Sequence, residues 1–173
     1  MEEIHPPIWR RILAPGNLTL PQLHAVLQIA MGWTNSHLHG FQVGEQFYTE
    51  PDPEYSDTTV LDERRVRLDR IAPGVGAHFV YEYDFGDGWE HTLVVEQILP
   101  PDPDAAYPRC IDGERACPPE DVGGAFGYSQ FLDAIHDPRH PEHDEWLQWV
   151  GGSFDPEAFD RQKTNALLKV FYT

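Results

Sequence analysis

The sequence predicts an α+β fold: a mostly antiparallel sheet with a long β-hairpin, one early helix and a C-terminal group of helices. Three observations carry this. Aromatic residues alternate with others on both sides of the stretch Asp84-Phe85-Gly86-Asp87-Gly88, a period of two. Apolar residues recur at helical spacing from Leu20 to Met31 behind a capping box. In the last third, alternation gives way to apolar helical faces punctuated by proline and paired glycine.

Taken in order, Ile8 to Leu13 reads as a strand stopped by Ala14-Pro15-Gly16-Asn17. Thr19, three residues before Gln22, opens a helix with Pro21 in the first turn, where its missing N–H costs little. Leu20, Leu23, Leu27, Ala30 and Met31 form its buried face, and Gly32 closes it. His37 to Val43 is expected to be extended, with His37 and His39 on one face, before a turn at Gly44-Glu45-Gln46. Residues 50–57 are acidic and proline-containing and read as an exposed loop. Arg65 to Ile71 reads as a strand and Pro73-Gly74-Val75-Gly76 as a turn.

Phe79 to Phe85 and Trp89 to Leu99 form the predicted hairpin. Asp87-Gly88 suits a type I′ turn, whose two central residues both need positive φ. Pro100 to Pro119 reads as a loop with a second Asp-Gly turn at Asp112-Gly113. A helix with the face Phe131, Leu132 and Ile135 stops before Pro138, and another runs from Pro141 to Gly151-Gly152. Asp155 is expected to cap the last helix, with Pro156 at its first position and Phe154 stapled onto Phe159.

A chain of 173 residues predicts one domain, spanning 1–173. It has no apolar run of about 18 residues, and MEEIHPPIWRR lacks the basic, greasy character of an export signal, so the expectation is a cytoplasmic protein without membrane contact. With 12 Lys+Arg against 29 Asp+Glu the net charge is -17, which disfavours direct nucleic-acid binding because phosphate neutralisation needs segregated basic surface. Arg64, Arg65, Arg67 and Arg70 are interrupted by Glu63 and Asp69 and read as an internally paired, solvated segment. The two cysteines are too few for a disulfide scaffold and are expected to be reduced thiols.

The candidate chemistry centres on His37, His39, Asp84, Asp87 and His91. A hairpin tip beside two strand histidines would offer nitrogen and oxygen ligands to zinc or another divalent metal. The reading to set against it is that the same residues are turn formers and hydrogen-bonded histidines lining a polar groove. Cys110 and Cys117 enclose a turn-like segment and could share an ion with His91, Glu120 or Asp121, or serve as structural thiols. His136, His140 and His143 read as a solvated connection between helices. The chain carries no nucleophile elbow, phosphate-binding loop or dinucleotide fingerprint.

Several separated stretches together resemble one family: PPIWRRI, LHAVLQIAMGW followed by HLHGF, YDFGDGWEH, YPRCIDGERACPPEDVGGAFGY and WVGGSFDPEAFD. The combination is similar to the plasmid pRiA4b ORF-3-like proteins, also labelled transposon-passenger TnpR proteins. The resemblance covers nearly the whole chain and implies an α+β fold. It also implies a site location, because the family's signature positions fall on His37, His39, Asp84, Asp87, Trp89, His91, Cys117, Glu120, Asp121 and Tyr128. Relatives often carry cysteine after the Glu-Asp pair, where this chain has Val122, which removes one thiolate from that segment. The expectation is that these residues converge between the hairpin and the Pro-Pro-Glu-Asp loop as a ligand-binding groove.

Three functions follow from this reading. The first is a non-enzymatic accessory module of mobile elements that binds a protein or small ligand. The second is a metal-dependent hydrolase using His37, His39, Asp84 or Asp87 and His91, with Glu120 or Asp121 as general base. The third is an acidic mimic of nucleic acid, motivated by the net charge alone.

Overall fold

The computed structural model describes residue 1, residues 3–51 and residues 59–171, with Phe171 described by its backbone alone. Most of the expected acidic loop, residues 52–57, lies outside the described residues.

Strand β1 (Trp9–Leu13) leads into helix α1 (Leu20–Met31), followed by β2 (His39–Val43), β3 (Gln46–Thr49) and β4 (Val60–Asp62). A 3-10 turn (Glu63–Arg65) and the short helix α2 (Leu68–Ile71) precede the hairpin of β5 (His78–Tyr83) and β6 (Trp89–Val94). Then come β7 (Arg109–Glu114), α3 (Gly124–His136), α4 (His143–Trp149) and α5 (Arg161–Phe171). Five strands form one sheet in the order β4-β3-β2-β5-β6, and β1 pairs with β7 in a second sheet. Only the β3–β4 pair is parallel among the described strands. The fold is therefore α+β.

The alternation in the hairpin does what its period requires. Phe79, Tyr81 and Tyr83 all bury on one face, joined by Phe41 from β2 and Trp89 from β6. Leu20, Leu23, Leu27 and Met31 of α1 and Tyr128 and Phe131 of α3 complete the same core cluster. Each such side chain contributes roughly 1.5–3 kcal/mol on burial. A smaller cluster of Leu18, Val26, Cys110 and Leu168 ties α1 to β7 and α5. The Thr19 backbone N–H donates to Gln22 Oε1 at 2.9 Å, and Gly32 ends α1 with a φ of 93°.

Six expectations are corrected by the structure. Arg65 to Ile71 is not a strand: Asp62 Oδ1 accepts the Arg64 N–H at 2.9 Å and caps a 3-10 turn, after which α2 forms. Only Arg67 bridges in strand fashion, to Thr19. The hairpin turn is not a two-residue Asp87-Gly88 turn. Tyr83 pairs with Trp89, so Asp84 through Gly88 form the loop, and the positive φ values belong to Asp84 (57°) and Gly88 (69°). Strand β6 also ends at Val94, short of the expected Leu99.

Asp112-Gly113 is not a turn but part of β7, opposite Arg11 and Arg10. A Cβ on Gly113 would come within 2.9 Å of Trp9 O and 2.8 Å of both Arg10 Cδ and the Phe159 ring, so this glycine serves close packing. The last helix starts at Arg161, where Asp160 Oδ1 accepts the Lys163 N–H at 2.9 Å. Asp155 instead closes a turn through the Glu157 N–H, and Pro156 O accepts from the Ala116 N–H at 2.9 Å. Phe154 packs on Tyr128 and Phe131, while Phe159 lies under the Arg10 guanidinium, so the expected staple is absent.

Gly127 provides a test of the packing between α3 and the turn before it. A Cβ there would lie 2.1 Å from Val122 O, a backbone atom that cannot swing away. Glycine to alanine inside a helix ordinarily stabilises by about 1 kcal/mol. Here Gly127→Ala is expected to destabilise by about 1–3 kcal/mol through overpacking, read as a lowered midpoint in urea.

Candidate functional site

The site begins with the conformation of Asp84. Left-handed backbone is costly for a residue with a Cβ, and aspartate tolerates it because its short side chain bonds locally. Asp84 Oδ1 accepts the N–H of Gly86 at 3.0 Å and of Asp87 at 3.3 Å, and Gly88 N–H donates to Asp84 O at 2.6 Å. This tight loop leaves Asp84 Oδ2 for other partners. The Asp84 N–H donates to Leu38 O at 2.9 Å, which draws the segment before β2 against the hairpin tip.

The third segment arrives from the Pro-Pro-Glu-Asp stretch. Asp87 Oδ2 accepts the Gly123 N–H at 3.1 Å, and a Cβ on Gly124 would stand 2.6 Å from Asp87 O. Two adjacent glycines with φ of 92° and 66° thus let the start of α3 rest on the hairpin loop. Trp33 Nε1 donates to Pro118 O at 3.1 Å, fixing the other end of the segment to the residues after α1.

Glu120 is clamped in place. Its Oε1 accepts from Thr34 N–H at 2.8 Å, Thr34 Oγ1 at 3.0 Å and Tyr83 OH at 3.1 Å. Tyr83 OH also accepts the Ser36 N–H at 2.9 Å. Burial pushes the Tyr83 phenol up to about 12, with the Glu120 carboxylate adding to the shift, so it remains a neutral donor at ordinary pH.

His37 stands at the meeting point. Its Nε2 is 3.1 Å from Asp121 Oδ1, 3.6 Å from Asp84 Oδ2 and 3.9 Å from Glu120 Oε2. That nitrogen is shielded from solvent and makes no well-aligned hydrogen bond. One ligand atom each from His37, Asp84 and Asp121 all lie within 4.8 Å of one another. Asp84 is buried, His37 is half-buried and Asp121 is exposed, so the group opens to solvent on one side.

Of the residues singled out in the sequence, His37, Asp84, Glu120 and Asp121 therefore meet, Asp87 ties the hairpin loop to Gly123, and the rest lie elsewhere. His37 precedes β2 and so does not share a strand face with His39. His39 Nε2 is 3.1 Å from Glu63 Oε1, and its ring stacks on His24 at 3.5 Å. His91 is buried with Nδ1 3.2 Å from Tyr81 O and 3.1 Å from Trp89 O. Trp89 and Tyr128 are core residues, 4% and 1% exposed. A ligand set of His37, His39 and His91 is not assembled.

The two cysteines are free thiols in different clusters, Cys110 in the smaller and Cys117 against the main core. Cys110 Sγ donates to Asp112 O at 3.2 Å, and burial raises both thiols above their ordinary values. Neither belongs to a cluster of three or more potential ligands among the described residues. The imidazole Nδ1 atoms of His136 and His143 bond to the carbonyls of Leu132 and Ala134, as expected of a helix connection.

Sequence reasoning missed Thr34, Tyr83, His24 and Glu63. A usable signal existed for Tyr83: it falls on the aromatic core face, and a buried phenol needs a hydrogen-bond partner. Glu63 gave none, since its 2% exposure depends on packing that a charged tripeptide does not announce.

Comparison with known proteins places the chain in a family. The profile of the family described as "Plasmid pRiA4b ORF-3-like protein" matches residues 1–163. The chain belongs to the plasmid pRiA4b ORF-3-like family. This family member is 41% identical over 167 residues to "Uncharacterized protein y4hQ" of Sinorhizobium fredii (strain NBRC 101917 / NGR234), covering 95% of this chain and 85% of that one. It is also similar to a crystal structure described as "Protein of Unknown Function MM3350" from Methanosarcina mazei Go1. That similarity has a TM-score of 0.84 and 34% identity, over 92% of this chain and 90% of the other. These relatives carry no stated activity. Among the described residues no helix is long and apolar enough to cross a membrane.

The buried imidazoles set an acid limit on this family member. Burial, helped by the neighbouring His39 ring, lowers His24 to about 4, and burial lowers His91 to about 3. Both rings stay neutral in the native core while the unfolded chain protonates them near the ordinary value of about 6.5. The unfolded state thus binds more protons below that pH, and stability declines as pH falls from about 6.5 towards 4. Each histidine is expected to cost about 1.4 kcal/mol per pH unit in that window. Urea midpoints measured at pH 7 and pH 5 should show the drop, and His91→Asn, which keeps a donor for the two carbonyls without titrating, should make it shallower.

Proposed function

We propose that this chain is a binding module, accessory to mobile genetic elements, whose site takes a divalent cation through His37, Asp84 and Asp121. The observation that carries the reading is the His37 Nε2 atom, which faces carboxylates from two other segments at 3.1, 3.6 and 3.9 Å. One imidazole nitrogen with two or three carboxylate oxygens is a donor set suited to zinc or manganese. The plasmid named in the family description supports the mobile-element setting.

The same geometry favours binding over hydrolysis. A hydrolytic site needs a carboxylate free to take a proton from water. Glu120 Oε1 already accepts from Thr34 N–H, Thr34 Oγ1 and Tyr83 OH, so this carboxylate holds the loop in place. Asp121, whose side chain is 70% exposed, leaves a coordination position open to a small ligand or a partner's side chain. The acidic-mimic reading gains little, because Asp62, Asp69, Glu96 and Glu157 are each paired with an arginine.

The test is calorimetric titration of tag-free, chelator-treated protein with manganese and with zinc. One ion per chain is expected, and His37→Ala or Asp84→Asn should weaken uptake at least tenfold, by roughly the factor seen when metal sites lose a supporting group. Tyr83→Phe, which releases Glu120 and Ser36 without touching the ion, is expected to weaken it by about tenfold. No uptake, or uptake indifferent to His37→Ala, would reject the proposal.

A further inference from the structure

Beneath the His37 segment lies a buried polar relay that the site itself does not use. It runs from His24 and Gln28 on α1 through Tyr81 on β5 to Asn35, two residues before His37. The proton positions follow from the partners. His24 Nε2 is 2.7 Å from Asn35 Oδ1, which can only accept, so this nitrogen carries the hydrogen. His24 Nδ1, 2.8 Å from Tyr81 OH, is then an acceptor, and the phenol donates to it. The Tyr81 oxygen in turn accepts from Gln28 Nε2 at 3.0 Å, and Gln28 Oε1 accepts the Asn35 N–H at 2.8 Å.

Asn35 is thus held by both its side chain and its backbone. These bonds suit its left-handed φ of 56°, which asparagine tolerates when its short side chain is hydrogen-bonded. A proton added at His24 Nδ1 would reverse the bond to Tyr81. The phenol oxygen would then face two N–H donors, with its own hydrogen stranded in a core where Tyr81 is 0% exposed. Gln28 is the partner able to let go, and its release frees the Asn35 N–H.

We propose that His24 is a proton-operated catch on the His37 segment: the neutral ring holds Asn35 and so keeps His37 among its carboxylates, and protonation releases Asn35 and loosens its neighbours up to His37 while the sheet stays folded. The groups facing His24 are the parallel His39 ring on β2 at 3.5 Å and the Tyr81 and Tyr83 rings on β5 at 5.8 and 6.5 Å. Glu63 sits behind His39, bonded to its Nε2, so both His24 nitrogens bond to neutral partners. Burial and the His39 ring lower His24 to about 4, so the catch is closed at neutral pH and opens in acid. The proposal rests on His37 being a site residue, yet the catch can be tested without any cation.

The experiment is a two-dimensional amide and imidazole NMR titration of metal-free protein from neutral pH into acid. The Asn35 and Ser36 amides are expected to shift with the same midpoint as the His24 ring, near pH 4, while the β5 and β6 amides hold still. His24→Gln, which offers one acceptor and one donor but cannot charge, should abolish the loop transition. Should that variant fail to fold, Glu120→Gln decides: the transition must persist in it, because Glu120 also contacts Thr34 and could otherwise be its cause. Static loop amides while His24 titrates, loss of the transition in Glu120→Gln, or loop movement only with global unfolding would each overturn the proposal. A cation titration that fails while the loop transition appears would reject the metal reading and leave the catch standing.

Discussion

The fold turns on the hydroxyl of Tyr83. Its ring has no exposure and belongs to the central core cluster, where an unpaired phenol would be costly. The hydroxyl resolves this by accepting from Ser36 and donating to Glu120. One buried side chain thereby fastens two loops, the one after α1 and the one before α3, to β5, the first strand of the hairpin. His37 and Asp121 sit on those two loops, so the positions of the surface groups are a consequence of satisfying a core residue.

Histidines of the same chemistry are sorted by their surroundings. His24, His39 and His91 are buried among aromatic rings and act as neutral or paired structural groups. His37 keeps partial exposure and meets three carboxylates. Burial penalises charge, so an interior imidazole is spent on hydrogen bonds, whereas one at an acidic rim can serve a cation. The -17 charge fits a surface on which the histidine-centred cluster found among the described residues is also rich in acid.

Much of the candidate site was legible in outline. The hairpin tip stood out by its turn residues and carboxylates, and the family resemblance implied the Pro-Pro-Glu-Asp segment as its neighbour; His37, Asp84, Glu120 and Asp121 do meet, while Asp87 ties the hairpin loop to Gly123. His39, Trp89, His91 and Tyr128 shared the same polar or aromatic look in sequence, but their strand and helix positions turn them into the core. Local chemistry cannot separate these two groups, because the deciding variable is what another segment places over them.

The sequence by itself determined the local periods: α1 with its capping box and closing Gly32, the buried aromatic face of β5, and the helical ending of the chain. These depend on neighbours within a turn or two, where residue spacing alone sets the face. Tertiary structure decided which glycine bends and which one packs, as Gly88 and Gly113 show after identical Asp-Gly pairs. It also decided which acids meet His37, since Glu120 reaches Thr34 across 86 residues and Asp87 reaches Gly123 across 36. Contacts at that separation are fixed by how the core closes, a balance of burial and hydrogen-bond satisfaction over the whole chain that no short stretch contains.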